Sequence, residues 1–124
     1  MADKLTPAQY RRIDEVREYL KEVQHIKKLV NELESSRAAR ATLIQSICES
    51  IARQLSELRQ RTRTAKLGSV PDTAGAMSVM AARGGGISMK IRGLAEGVAS
   101  LTMELEQAIR AASTPGRDIE SSSE

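Results

Sequence analysis

The chain has 124 residues, with 19 Lys and Arg against 16 Asp and Glu and a formal net charge of +3. Its length allows one domain at most, and so small a net charge gives little reason by itself to expect nucleic acid or anionic lipid. It contains no Phe, no Trp, two Tyr and one Cys, which excludes an internal disulfide and leaves an aliphatic core suited to a narrow helical cross-section.

No run approaches the roughly 20 apolar residues that a membrane span requires, and residues 1–6 read as a short polar tail without the apolar segment of a signal peptide. With its lone Cys48, the chain is expected in a reducing compartment, the cytoplasm, or the nucleus of a eukaryote.

Thr6, Pro7 and Gln9 predict a helix start: Thr6 caps, Pro7 suits the first helical position, and Gln9 supplies the other half of a capping box. Ile13, Val16, Leu20, Val23, Ile26, Val30 and Leu33 then line one face at helical spacing, with the step from Val23 to Ile26 one residue short of a strict heptad. Continuing that seam by four and three lands on Arg37 and Arg40. Two readings follow. Ser35 and Ser36 start a reversal and the protein is a three-helix bundle, or the helix runs on, since neither Gly nor Pro interrupts residues 34–40. The second is preferred here, giving one amphipathic helix over 7–67 with a possible break near 35–37.

Ile44, Ile47, Cys48, Ile51, Leu55 and Leu58 form the broadest apolar face, wide enough for more than one neighbouring helix. The cations Arg59, Arg61, Arg63 and Lys66 follow, and Gly68 is expected to end the helix. Gly68, Pro71, Gly75 and the run Gly84, Gly85, Gly86 make residues 68–86 a flexible connection, in which Asp72 or Thr73 can cap a short helix carrying Met77, Val79 and Met80. Residues 87–113 are the clearest heptad helix, with Ile87, Ile91, Leu94, Val98, Leu101 and Leu105 alternating steps of four and three. Its Gly93 and Gly97 share a face and imply a close approach or a bend. Residues 114–124, rich in Ser and Glu, read as a disordered tail.

Candidate chemistry is sparse. His25 and Cys48 would stand about 34 Å apart in a continuous helix, too far for a nucleophile and its base. Glu22 and His25 have the Glu-x-x-His spacing of carboxylate-bridged metal sites, but one copy cannot complete such a site and His25 falls on the polar side. Gly84 to Gly86 lack the Lys-Ser/Thr of a phosphate loop. No enzyme activity, cofactor, metal or small-molecule substrate is expected.

The expected fold is all-α, a long helical hairpin or coiled coil, with the three-helix bundle as the alternative. Small size, long helices and no catalytic set resemble coiled-coil subunits of tethering, cytoskeletal or chromosome-attachment complexes, a likeness of architecture alone. A continuous helix over 7–66 would be about 90 Å long and leave Ile13 to Leu33 uncovered. That stripe is therefore the expected docking seam, for a second copy or another coiled-coil protein in a multi-protein complex. The faces 44–58 and 87–105 are expected to pair with each other. The rival reading is nucleic-acid or anionic-membrane binding through Arg53, Arg59, Arg61, Arg63 and Lys66.

Overall fold

A computed structural model describes residues 4–115, and among them every regular element is a helix. Four helices follow in order: α1 (Pro7–Ser35), α2 (Ala41–Thr64), α3 (Val70–Ala82) and α4 (Ile87–Ala112).

Helix α1 begins as its sequence demands. The Gln9 amide N–H donates to Thr6 Oγ1 at 3.1 Å, and the Thr6 N–H donates back to Gln9 Oε1 at 2.8 Å. It ends at Ser35, where the expected continuous helix does not form. The Ser36 N–H still bonds to the Glu32 carbonyl, Ala39 N–H turns back onto Ser36, and Arg40 is extended with φ −62° and ψ 147°. The cause lies in the register: continued as a helix, the seam would carry Arg37 and Arg40 into the core. Burying an unpaired guanidinium costs far more than reversing the chain, and both arginines end exposed.

The second turn closes α2 differently from expectation. Lys66, not Gly68, is the first left-handed residue, at φ 58°. Its N–H bonds to Arg63 O and the Leu67 N–H to Thr62 O, the pair of bonds that satisfies the last carbonyls of a helix. Leu67 is thereby driven into the core at 5 % exposure. Arg12 of α1 reaches across and donates to Ala65 O at 2.7 Å and to Lys66 O at 3.3 Å, covering the same helix end.

Residues 68–86 are not one flexible connection, because 13 of them form α3. Its start differs too: Ser69 occupies the cap position, Pro71 lies in the first turn, and Asp72 sits beside the positive end of the helix. Val70, Ala74, Met77 and Ala81 are buried, while Val79 is 55 % exposed.

Helix α1 packs against α2 and α4, and α3 packs against the same two helices. Cross-helix contacts set the neighbouring pairs antiparallel. Arg61 meets Glu22 and Ala65 meets Arg12 between α1 and α2, and Gln9 meets Ala112 and Arg37 meets Ser88 between α1 and α4. Ala52 meets Ser78 and Arg59 meets Gly75 between α2 and α3, and Met77 meets Gly97 and Met80 meets Gly93 between α3 and α4. Helix α4 therefore does not lie principally on the 44–58 face, since α3 and α1 stand on either side between it and α2. The core runs through all four helices, from Val16 and Leu33 through Ile51 and Leu58 to Leu94 and Leu105.

Helices α3 and α4 mesh through methionines and glycines. A Cβ at Gly97 would stand 2.5 Å from Met77 Sδ and 2.6 Å from its Cγ, and one at Gly93 would stand 2.4 Å from Met80 Sδ. Each glycine is thus a socket for a thioether. Met77 is 2 % exposed and cannot retreat, whereas Met80 is half-buried and has room to swing. Urea denaturation should show Gly97→Ala destabilised by about 1–3 kcal/mol despite a helix-propensity gain of about 1 kcal/mol, and Gly93→Ala within about 1 kcal/mol of wild type.

Gln9 also locks the chain ends together. It is fully buried, and its Nε2 donates to Ala112 O at 3.1 Å and Thr114 O at 2.8 Å, beyond the last turn of α4. Gln9→Glu keeps an acceptor for Thr6 but turns a carboxylate towards two carbonyl oxygens. Thermal denaturation at neutral pH should show a loss of about 2–3 kcal/mol, partly recovered near pH 4, where the protonated acid regains one donor.

Candidate interaction surface

The turns at residues 36–40 and 83–86, with the starts of α2 and α4, share one end of the molecule. There Arg37 donates to Ser88 Oγ, and Lys90 Nζ lies 3.9 Å from Cys48 Sγ. Residues 35–48 and 73–95 contain Arg37, Arg40, Arg83, Lys90 and Arg92 and no Asp or Glu. Neither α2 nor α4 has a side-chain cap or an acid in its first turn, whereas α1 has a capping box and α3 has Asp72. The positive ends of two helices thus add to the fixed cations. Glu32 and Glu34, exposed at the end of α1, are the nearest carboxylates in sequence to the first turn.

Between α2 and the α3–α4 turn lies a groove of about 640 Å³. Ile44, Cys48, Ala52 and Ala81 line it, Ala41 and Ala82 narrow it, and Arg83, Lys90 and Glu49 stand at its rim. Glu49 is engaged by Gln45, whose Nε2 donates to Glu49 Oε2 at 3.2 Å. The groove is held open by close packing further along, where Ser78 Oγ donates to Ala52 O at 3.0 Å. At the same end Leu43 and Met89 are 46 % and 79 % exposed.

The expected docking seam is elsewhere, and it is covered. Ile13, Val16, Val23, Ile26, Val30 and Leu33 are buried within the chain, and Leu20 is half-buried against the same core. The reversal at 36–40 brings α2 and α4 alongside α1, so the stripe has its partner at home. Ile47, Ile51, Leu55, Leu58, Ile91, Leu94, Val98, Leu101 and Leu105 are also buried, with Ile44 and Ile87 partly buried against them.

The basic run at the end of α2 is dispersed by the fold. Arg61 pairs with Glu22 and lies 5.2 Å from the Tyr19 ring centroid. The Arg59 stem covers Gly75, where an added Cβ would sit 2.9 Å from its Cδ. Arg59 and Arg61 thus take part in packing between helices, while Arg53, Arg63 and Lys66 are exposed. The reversal also removes the 34 Å separation expected for His25 and Cys48, yet His25 is exposed on α1 and Cys48 is buried beside Lys90. Glu22 is occupied by Arg61. Among the described residues no group of three His, Cys, Asp or Glu could hold a metal ion, and no helix is long and apolar enough to cross a membrane.

A second cleft, of about 320 Å³, lies at the opposite end between the α2–α3 turn and α4, lined by Arg12, Lys66, Ser69, Glu104 and Ala111 among others. Ser69 and Thr73 donate to Glu104 Oε2 at 3.0 and 3.1 Å, while Glu104 Oε1 is buried without a partner. The two hydroxyls tie the start of α3 to α4, which accounts for the position of the carboxylate.

What could have pointed to the groove was the stretch from Ser35 to Cys48 without a single carboxylate in a chain otherwise evenly charged. Its meaning depends on residues 83–92 arriving beside it, which no local pattern announces.

The pKa of the buried Tyr19 phenol on α1 is shifted. Burial first, and then the charge of Glu15, raise it above the usual 10.0, against the lowering effect of Arg61. The folded state therefore holds the phenol proton more tightly than the unfolded state. This contribution to stability is complete below pH 10 and is lost as pH rises through the raised folded value. Denaturation midpoints should fall above about pH 10 with a steeper slope in wild type than in Tyr19→Phe.

Comparison with protein-family models, curated proteins and solved structures finds no match to this chain.

Proposed function

We propose that the chain is a non-enzymatic interaction subunit of a multi-protein complex, an antiparallel four-helix bundle that closes over its own core and receives a partner at its loop end. The observation that carries this reading is the use of both long apolar stripes, on α1 and α4, inside the chain. Fully burying each aliphatic side chain of those stripes is worth about 1.5–3 kcal/mol, so neither stripe is left over to drive a coiled-coil oligomer. What stays open is the groove beside Ile44 and Ala81, with Leu43 and Met89 exposed at the same end. The cyclic pairing of neighbours, α1 with α2 and α4, and α3 with the same two, supports a bundle over an extended hairpin.

The dispersal of Arg59 and Arg61 into packing roles weighs against nucleic-acid or membrane binding through residues 53–66. No arrangement of acid, base or nucleophile among the described residues favours catalysis.

Light scattering at micromolar concentration should give a folded, helical monomer. An oligomer that loses its helicity on dilution would overturn the self-contained bundle and restore the α1 stripe as an intermolecular seam. Val23→Asp should then unfold the monomer, because Val23 is fully buried, instead of merely dissociating an assembly.

A further inference from the structure

We infer that the loop-end groove takes an acidic amphipathic helix from a partner protein, an inference that rests on the reading of the chain as an interaction subunit. The floor of the groove is apolar and its side walls are small. Ile44, Cys48 and Ala52 recur along α2 at steps of four, and Ala81 and Ala82 face them from α3. Alanine walls let a helix backbone come close, as a bulkier lining would not. From Ala41 to Ala52 the groove runs along about three turns of α2, or roughly 17 Å, so a partner helix of three to four turns matches it.

The charge selects the partner. Arg83 and Lys90 stand on the groove wall against one carboxylate in the lining, Glu49, so the lining keeps an excess of positive charge, and Arg40 precedes its first residue. Residues 35–48 and 73–95 add five cations and no Asp or Glu, and the carboxylates next to them in sequence at this end are Glu49 and, at the end of α1, Glu32 and Glu34. A helix with Leu or Ile at i, i+3, i+4 and i+7 and Asp or Glu beside that stripe would satisfy floor and rim together. A basic helix would meet repulsion at the rim, and a polar acidic coil would leave the floor wet. A flat bilayer surface fits less well, since the apolar floor is recessed between helices instead of protruding.

The test uses the full chain and a fluorescent peptide of about 14 residues with a Leu stripe flanked by Glu, set against a Leu/Lys peptide of the same pattern and a scrambled Leu/Glu peptide. Fluorescence anisotropy should show binding of the Leu/Glu peptide alone, weakening as salt rises. Two variants locate it. Ala82→Trp fills the groove from an exposed position, and the double change Arg40→Glu with Arg83→Glu reverses the rim at two exposed residues. Each should lower affinity at least tenfold while circular dichroism stays unchanged. Equal binding of the Leu/Glu and Leu/Lys peptides would overturn the acidic selectivity and leave the interaction-subunit reading standing. Binding of neither peptide, together with sedimentation on phosphatidylserine vesicles or retardation of duplex DNA, would overturn both. Binding of no probe at all would overturn the inference, with the monomer measurement deciding separately on the fold. Binding that survives Ala82→Trp would place the peptide outside this groove and overturn it as well.

Discussion

Two arginines in register with an apolar seam decide the architecture. A helix that continued past Ser35 would bring Arg37 and Arg40 onto the face formed by Ile26, Val30 and Leu33. The chain reverses instead, and every later element inherits that choice. Because α2 returns alongside α1, the stripe on α1 acquires a neighbour. Because α3 returns in turn, α4 is delivered to the other flank of α1, where Gln9 fastens its end. A chain without Phe or Trp has little apolar area to spare, so a stripe left outside would have been a serious loss.

Packing between α3 and the rest shows how a short, weakly patterned helix is held. Its buried Val70, Ala74, Met77 and Ala81 keep steps of four and three, but small residues dominate the stripe and leave it faint. Met77 and Met80 supply reach where no aromatic is present, and Gly93 and Gly97 on α4 supply the hollows that accept them. On the α2 side, Ser78 and Gly75 achieve the same closeness by lacking bulk. Two hydroxyls, from Ser69 and Thr73, then hold the start of the helix to Glu104.

Much of this was legible in the residues themselves. The start of α1 could be read from Thr6, Pro7 and Gln9, and the span of α4 from the spacing of Ile91, Leu94, Val98 and Leu101, because capping and periodicity are local properties. The reversal at 36–40 is not decided locally, since Ser36, Ala38 and Ala39 tolerate helix and coil alike and only the tertiary cost of Arg37 and Arg40 separates the two. Helix α3 was legible only as a short helix inside a connection: Gly75 and the flanking glycines broke its pattern, and alanines at Ala74 and Ala81 made its buried stripe faint. Assigning Ile13 to Leu33 to an outside partner followed directly from the unbroken helix. The groove left only the carboxylate-free stretch from Ser35 to Cys48 as a local trace, being made where Cys48 and Lys90, distant in sequence, come together.

The hydrogen bonds of Gln9 have a consequence for how the protein can be attached to anything else. One side chain joins Thr6 to Ala112 and Thr114, so the described residues begin and end at one pole of the four helices, while the groove opens near the other. A partner domain fused rigidly at Thr6 or Thr114 would therefore leave the loop pole facing outward. The same adjacency means that a short linker could splice the two ends and new ends could be opened in the reversal at 36–40. Such a circular permutant would keep all four helices and their neighbours, with the point of fusion now beside the groove.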